Sequence, residues 1–78
     1  MNSLLIKRLG QVLRERRKAA GFSQEGFADH IGMHRTYYSA IERGEKNLQL
    51  DTLAKVCSGL GCKPWQVLQE ADPGSSTP

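Results

Sequence analysis

No stretch of this chain approaches the ~18 apolar residues of a membrane-spanning helix. The first residues also lack the apolar run and small-residue cleavage site of a secretory signal. Together these absences predict a cytoplasmic protein with no membrane partner. Cysteine is scarce: Cys57 and Cys62 stand five apart, with no second pair. With His30 and His34 they complete no metal-ligand spacing, so no metal is expected. Cys57 reads as a small core residue and Cys62 as a free thiol near a turn, both reduced in that compartment. The chain has no glycine-rich phosphate cradle and no credible catalytic triad, and its 78 residues leave little room for a buried pocket. An enzyme, a cofactor and a small-molecule ligand are therefore not expected. Neither β-strand alternation nor an internal repeat is visible, which leaves an all-α fold.

What is present is a single small domain with a mild cationic excess, +3 net. That bias is compatible with a polyanionic partner. Lys7, Arg8, Arg14, Arg16, Arg17 and Lys18 crowd the first helix and read mostly as a solvated face. Arg35, Arg43 and Lys46 fall in or just after the central motif.

The spacing predicts a first helix over Ser3 to Ala20. Leu5 or Ile6, Leu9, Leu13 and Ala20 form its apolar stripe, with Val12 beside it and Gly21 as the stop. Gly10 should weaken this helix by up to ~1 kcal/mol relative to alanine. Leu50 to Leu60 is the fourth helix, with Leu50, Leu53, Ala54, Val56, Cys57 and Leu60 mostly apolar. Pro64 suits the first turn of a short fifth helix, Trp65 to Glu70, because its missing N–H costs nothing there. Residues 1–71 form the expected domain; 72–78, DPGSSTP, are polar and expected to be a disordered tail.

Between them lies FSQEGFADHIGMHRTYYSAIERG, from Phe22 to Gly44. Ser23 is a good N-cap, and Phe27, Ala28 and Ile31 make one apolar face. Gly32 ends that helix and Met33 begins a turn. His34 sits at the next N-cap, and Arg35 to Arg43 continue as a second helix stopped by Gly44. Tyr38 and Ile41 point inward, with the Tyr38 hydroxyl expected at the rim. Gly26 interrupts the first of these helices, either at a cost in stability or to admit another backbone. The spacing matches a helix-turn-helix, whose second helix enters the DNA major groove.

The segment resembles the helix-turn-helix (XRE-type) family of phage repressors, Cro proteins and small bacterial regulators. The matching residues are Ser23-Gln24-Glu25, Phe27-Ala28, Ile31-Gly32 and Ile41-Glu42-Arg43-Gly44. Within that family, Arg35 to Leu53 is most similar to the controller proteins of restriction–modification systems. The resemblance implies a five-helix, lambda-repressor-like DNA-binding domain. It further implies that Gln24 meets a backbone phosphate and that Arg17 pairs with Glu42. Controller proteins bind their own promoter, activating at low occupancy and repressing at high.

Arg35, in the first turn of the recognition helix, is the leading base reader, since arginine donates two hydrogen bonds to guanine. Thr36, Ser39 and Ala40 share its face, and Tyr37 and His34 flank it as further candidates for base contact. Arg43, Lys46, Asn47 and Gln49 are candidates for phosphate contacts. A homodimer on double-stranded DNA would read two half-sites one helical turn apart. Trp65, Val67 and Leu68 are assigned to its interface, because one short terminal helix holds more apolar surface than it can bury alone. The competing reading is an antitoxin-like or adaptor module that binds a protein. The polar turn Arg35-Thr36 argues against it, since a groove-binding helix carries apolar anchors there. RNA binding would need exposed aromatic platforms that the chain lacks.

Overall fold

The computed structural model describes residues 3–72. Five helices follow in order: α1 Ser3–Ala19, α2 Gln24–His30, α3 Arg35–Glu42, α4 Leu50–Leu60 and α5 Pro64–Ala71. The expected tail beyond Asp72 lies outside the described residues. Among the described residues no helix is long and apolar enough to cross a membrane.

Local chemistry sets these boundaries. The Ser23 hydroxyl accepts the Gly26 N–H at 2.9 Å, which caps α2. Gly32 takes φ +67°, a conformation costly for any residue with a Cβ. That bend lets the Met33 N–H reach the Ala28 carbonyl at 2.8 Å and close the turn into α3. Proline opens α5 at its first position.

One core joins the five elements. Leu9 and Leu13 of α1 meet Phe27 of α2 and Ile31 just after it, Tyr38 and Ile41 of α3, Leu53, Val56 and Cys57 of α4, and Val67 and Ala71 of α5. Phe22 packs edge-on to Phe27, with ring centroids 5.3 Å apart, and stacks on His30 at 4.9 Å. The core placement of Cys57 holds: its side chain is fully buried, and burial pushes the thiol up to about 12. Cys62 is a half-buried free thiol just past the α4 terminus.

Several expected positions move. Ala20 is exposed, because α1 ends one residue earlier and the chain turns away from the stripe. Leu50 is 79 % exposed and Ala54 is exposed, so only the Leu53–Val56–Cys57 side of α4 faces inward. Val67 is wholly buried and belongs to the core, which removes it from the interface proposed with Trp65 and Leu68. Gly10 has a packing role that its helix penalty concealed. A Cβ there would lie 2.6 Å from the carbonyl oxygens of Ile41 and Glu42, so this residue lets α1 sit directly on the end of α3. At Gly26 no other backbone approaches; the nearby atom is the capping oxygen of Ser23, at 3.0 Å.

The last helix is tied to the first by polar contacts as well. The Arg8 Nε donates to the Ala71 carbonyl at 2.8 Å, and Arg16 pairs with Glu70. Such a clamp at the end of α5 holds the short helix in place, where its own two turns could not.

Candidate nucleic-acid interface

The outward face of α3 is positioned from behind by one buried ion pair. Arg17 Nε donates to Glu42 Oε2 at 2.7 Å, and its Nη2 to Oε1 at 3.1 Å. Both residues are 6 % exposed. The third guanidinium nitrogen donates to the Phe22 carbonyl at 2.8 Å, so Arg17 links α1, the entry to α2 and the end of α3. Burial alone would raise the Glu42 pKa. The bonds from Arg17 and Gln24, with Tyr38 alongside, outweigh it and hold the carboxyl below its ordinary range. The pair implied by the resemblance is therefore present and closed in from solvent.

The Gln24 Nε2 donates one N–H to Glu42 Oε1 at 2.9 Å. The second N–H of that amide is not used by this bond. One expectation changes at this junction. Tyr38 is wholly buried, and its hydroxyl lies inside rather than at the rim. That oxygen finds no hydrogen-bond partner among the described residues, and burial pushes the phenol far above its ordinary range.

The outer face begins at His34, whose Nδ1 accepts the Thr36 N–H at 3.3 Å. An accepting Nδ1 carries no proton, so this cap exists only in the neutral ring. A protonated His34, the form best suited to a phosphate, would lose the cap. Arg35 and Thr36 follow in the first turn, and both are exposed. Tyr37 is 38 % exposed, and the Lys46 ammonium lies 5.3 Å from its ring centroid, a cation–π contact that fixes the loop after α3 beside it. Arg43 donates to the Ser39 hydroxyl at 2.6 Å and to Glu45 at 3.1 Å. Glu45 is held below the usual carboxylate range by Arg43 first, then by Lys7 and Lys46.

These side chains frame two adjoining depressions. One, open and about 590 Å³, is lined by His34, Thr36, Tyr37, Ala40, Arg43, Glu45 and Lys46. The other is lined by Arg35, Thr36, Ser39 and Arg43. Six of the expected base readers and two of the expected phosphate ligands therefore share one surface. Ala40 is an exception in kind: at 7 % exposure it is the floor of the depression, not a projecting side chain. Asn47 stands apart from this face. It lines an apolar depression on another side, with Leu5, Ile6, Leu9, Leu48, Leu50, Leu53 and Leu68. Gln49, exposed just before α4, lines neither depression beside α3.

Sequence reasoning missed Glu45, an acid set among the cations, and the Tyr37–Lys46 contact. Both depend on how the loop folds back after Gly44, which no local pattern reports. It also missed Leu50 as exposed apolar surface, since its spacing from Leu53 suits a core position.

Comparison with known proteins bears on this geometry. Residues 13–64 match the model of the helix-turn-helix family. The control protein C.MunI of Mycoplasma sp is 41 % identical over 61 residues, covering 78 % of this chain and 82 % of its own. The control protein C.BamHI of Bacillus amyloliquefaciens is 42 % identical over 60 residues, covering 76 % and 74 %. The solved structure of the restriction–modification controller C.AhdI from Aeromonas hydrophila superposes with a TM-score of 0.76 at 37 % identity, covering 80 % of this chain and 94 % of that one.

Proposed function

The chain belongs to the helix-turn-helix family, and from that membership we infer a DNA-binding transcriptional regulator that acts as a homodimer on a symmetric operator. Residues 1–71 serve as its DNA-binding domain. The observation that carries this reading is the exposed first turn of α3, Arg35-Thr36, on a helix fixed from within by Arg17–Glu42. A helix anchored at its far end and presenting an arginine and a hydroxyl in its first turn suits the major groove, where base edges offer paired acceptors. Tyr37, Ser39, Arg43 and Lys46 complete the contact surface, with Ala40 beneath them. Similarity to the controllers supports one further step: the protein regulates its own operon beside a restriction endonuclease and methyltransferase.

Duplexes selected by the protein from a random pool should contain two related half-sites about one helical turn apart. Arg35→Ala is expected to cost about 1–3 kcal/mol against the selected site while weak nonspecific binding persists. Footprinting that shows the same site protected at the same concentration would remove Arg35 from base reading.

The dimer surface is best placed on the apolar side of α4 and α5. Leu50 is 79 % and Trp65 63 % exposed, and Leu68 lines the apolar depression one turn beyond Trp65. A small domain gains stability by covering such surface. Leu50→Glu is the cleaner test, since the side chain is almost free of its own domain. Sedimentation is expected to shift from dimer to monomer; a dimer of unchanged dissociation constant would move the interface elsewhere.

A further inference from the structure

Resting on the DNA-binding reading, we infer that Lys7 and Arg14 of α1 form a second phosphate-binding ridge that extends the interface beyond the recognition helix. The residues are seven apart on one helix, hence two turns along the same side. Both are exposed. They line a depression with Leu4, Arg8, Gln11, Glu42 and Arg43, so the side of α1 that bears them adjoins the end of α3. Arg43 is already part of the α3 surface, and it bridges the two sets.

The placement of Lys7 is fixed by backbone packing. A Cβ on Gly44 would come within 2.8 Å of the Lys7 Cα and Cγ. The turn that ends the recognition helix thus rests against the stem of this lysine, whose charge, like that of Lys46, acts on Glu45. The carboxylates nearby have closer partners, although Glu45 also feels the charge of Lys7. Glu42 is committed to Arg17, Glu45 to Arg43, and Arg8 is turned to the Ala71 carbonyl. Among the described residues neither Lys7 nor Arg14 makes an ion pair.

A solvated helix face would need no such alignment with the reading helix. Two exposed cations continuous with Arg43 and Lys46 suit the next phosphates along the duplex backbone. Contacts of this kind carry no sequence information; they add affinity that falls with salt.

The test measures binding of a mixed-sequence duplex several helical turns long as a function of salt. In the paired variant Lys7→Gln, Arg14→Gln, the slope of log Kobs against log salt is expected to fall by about 2 per protomer, hence about 4 for the bound dimer, near 0.9 per lost phosphate contact. Glutamine keeps the methylenes that pack on Gly44. The charge-matched control Lys55→Gln, Lys63→Gln, on α4 and before α5, should keep the wild-type slope, and so should Lys7→Arg, Arg14→Lys. An unchanged slope in the first pair, or an equal fall in the control, would overturn the ridge while leaving the α3 reading intact. Failure of the unaltered protein to bind duplex at any salt would overturn both.

Discussion

Glu42→Ala should leave the protein barely stable at room temperature, through a loss of about 3–5 kcal/mol. The reason lies in what would remain. Arg17 stays protonated under all ordinary conditions, so it cannot relieve its burial by losing charge. Its side chain is 7 % exposed and that of Glu42 is 2 %, which leaves almost no room for water to replace the carboxylate. The Phe22 carbonyl would still accept one bond, but Arg17 Nε and Nη2 would lose their acceptors, and so would the Gln24 amide. Domains of this size have total stabilities of roughly 5–15 kcal/mol, with small cores at the low end. Urea unfolding followed by helical circular dichroism gives the value directly. The paired change Arg17→Met, Glu42→Leu removes both charges, and it should cost less than the sum of the two single changes, because no buried ion is left alone. A Glu42→Ala protein with an unchanged midpoint would mean that the pair contributes nothing to the fold.

The position of that pair explains why so much of the site could be read from residue patterns. Caps and stops are local: Ser23, His34, Gly32 and Pro64 each act on neighbours within four residues, and each element begins or ends where they stand. The reading face of α3 followed from the same local logic, since Tyr38 and Ile41 bury one side and leave Arg35 and Thr36 outside. Patterns fail where the deciding partner is distant in sequence. In the eight residues of α5, Trp65, Val67 and Leu68 fall within four positions. Two turns offer too few positions to define a face, and only packing on α1 turns Val67 inward and leaves Trp65 out. Gln24 looked free because Glu42, its partner, lies 18 residues away. Lys7 looked like ordinary surface because Gly44 lies on another element.

Gly10→Ala makes the same point with the largest effect expected outside the ion pair. By helix propensity alone the change should stabilise α1 by up to ~1 kcal/mol. The added methyl, however, would lie 2.6 Å from two backbone carbonyl oxygens, those of Ile41 and Glu42. A side chain in the way could change rotamer; a helix end cannot. Either α1 lifts away from α3, loosening Leu9 and Leu13 against Ile41, or α3 shifts and carries Arg35 with it. Overpacking of this kind costs about 1–3 kcal/mol, and contact with backbone on the far side puts Gly10 at the upper end. A net loss near 2 kcal/mol lowers Tm by about 10 °C in a domain this small. Gly26→Ala is the internal comparison. It too replaces a glycine inside a helix, but its methyl meets only the Ser23 hydroxyl at 3.0 Å. Its stability should stay within about 1 kcal/mol of the original. Thermal unfolding of the two variants side by side decides the matter: equal Tm values would show that α1 and α3 are not in the close contact that seats the reading helix, whereas a large deficit confined to Gly10→Ala shows that the fold depends on that contact.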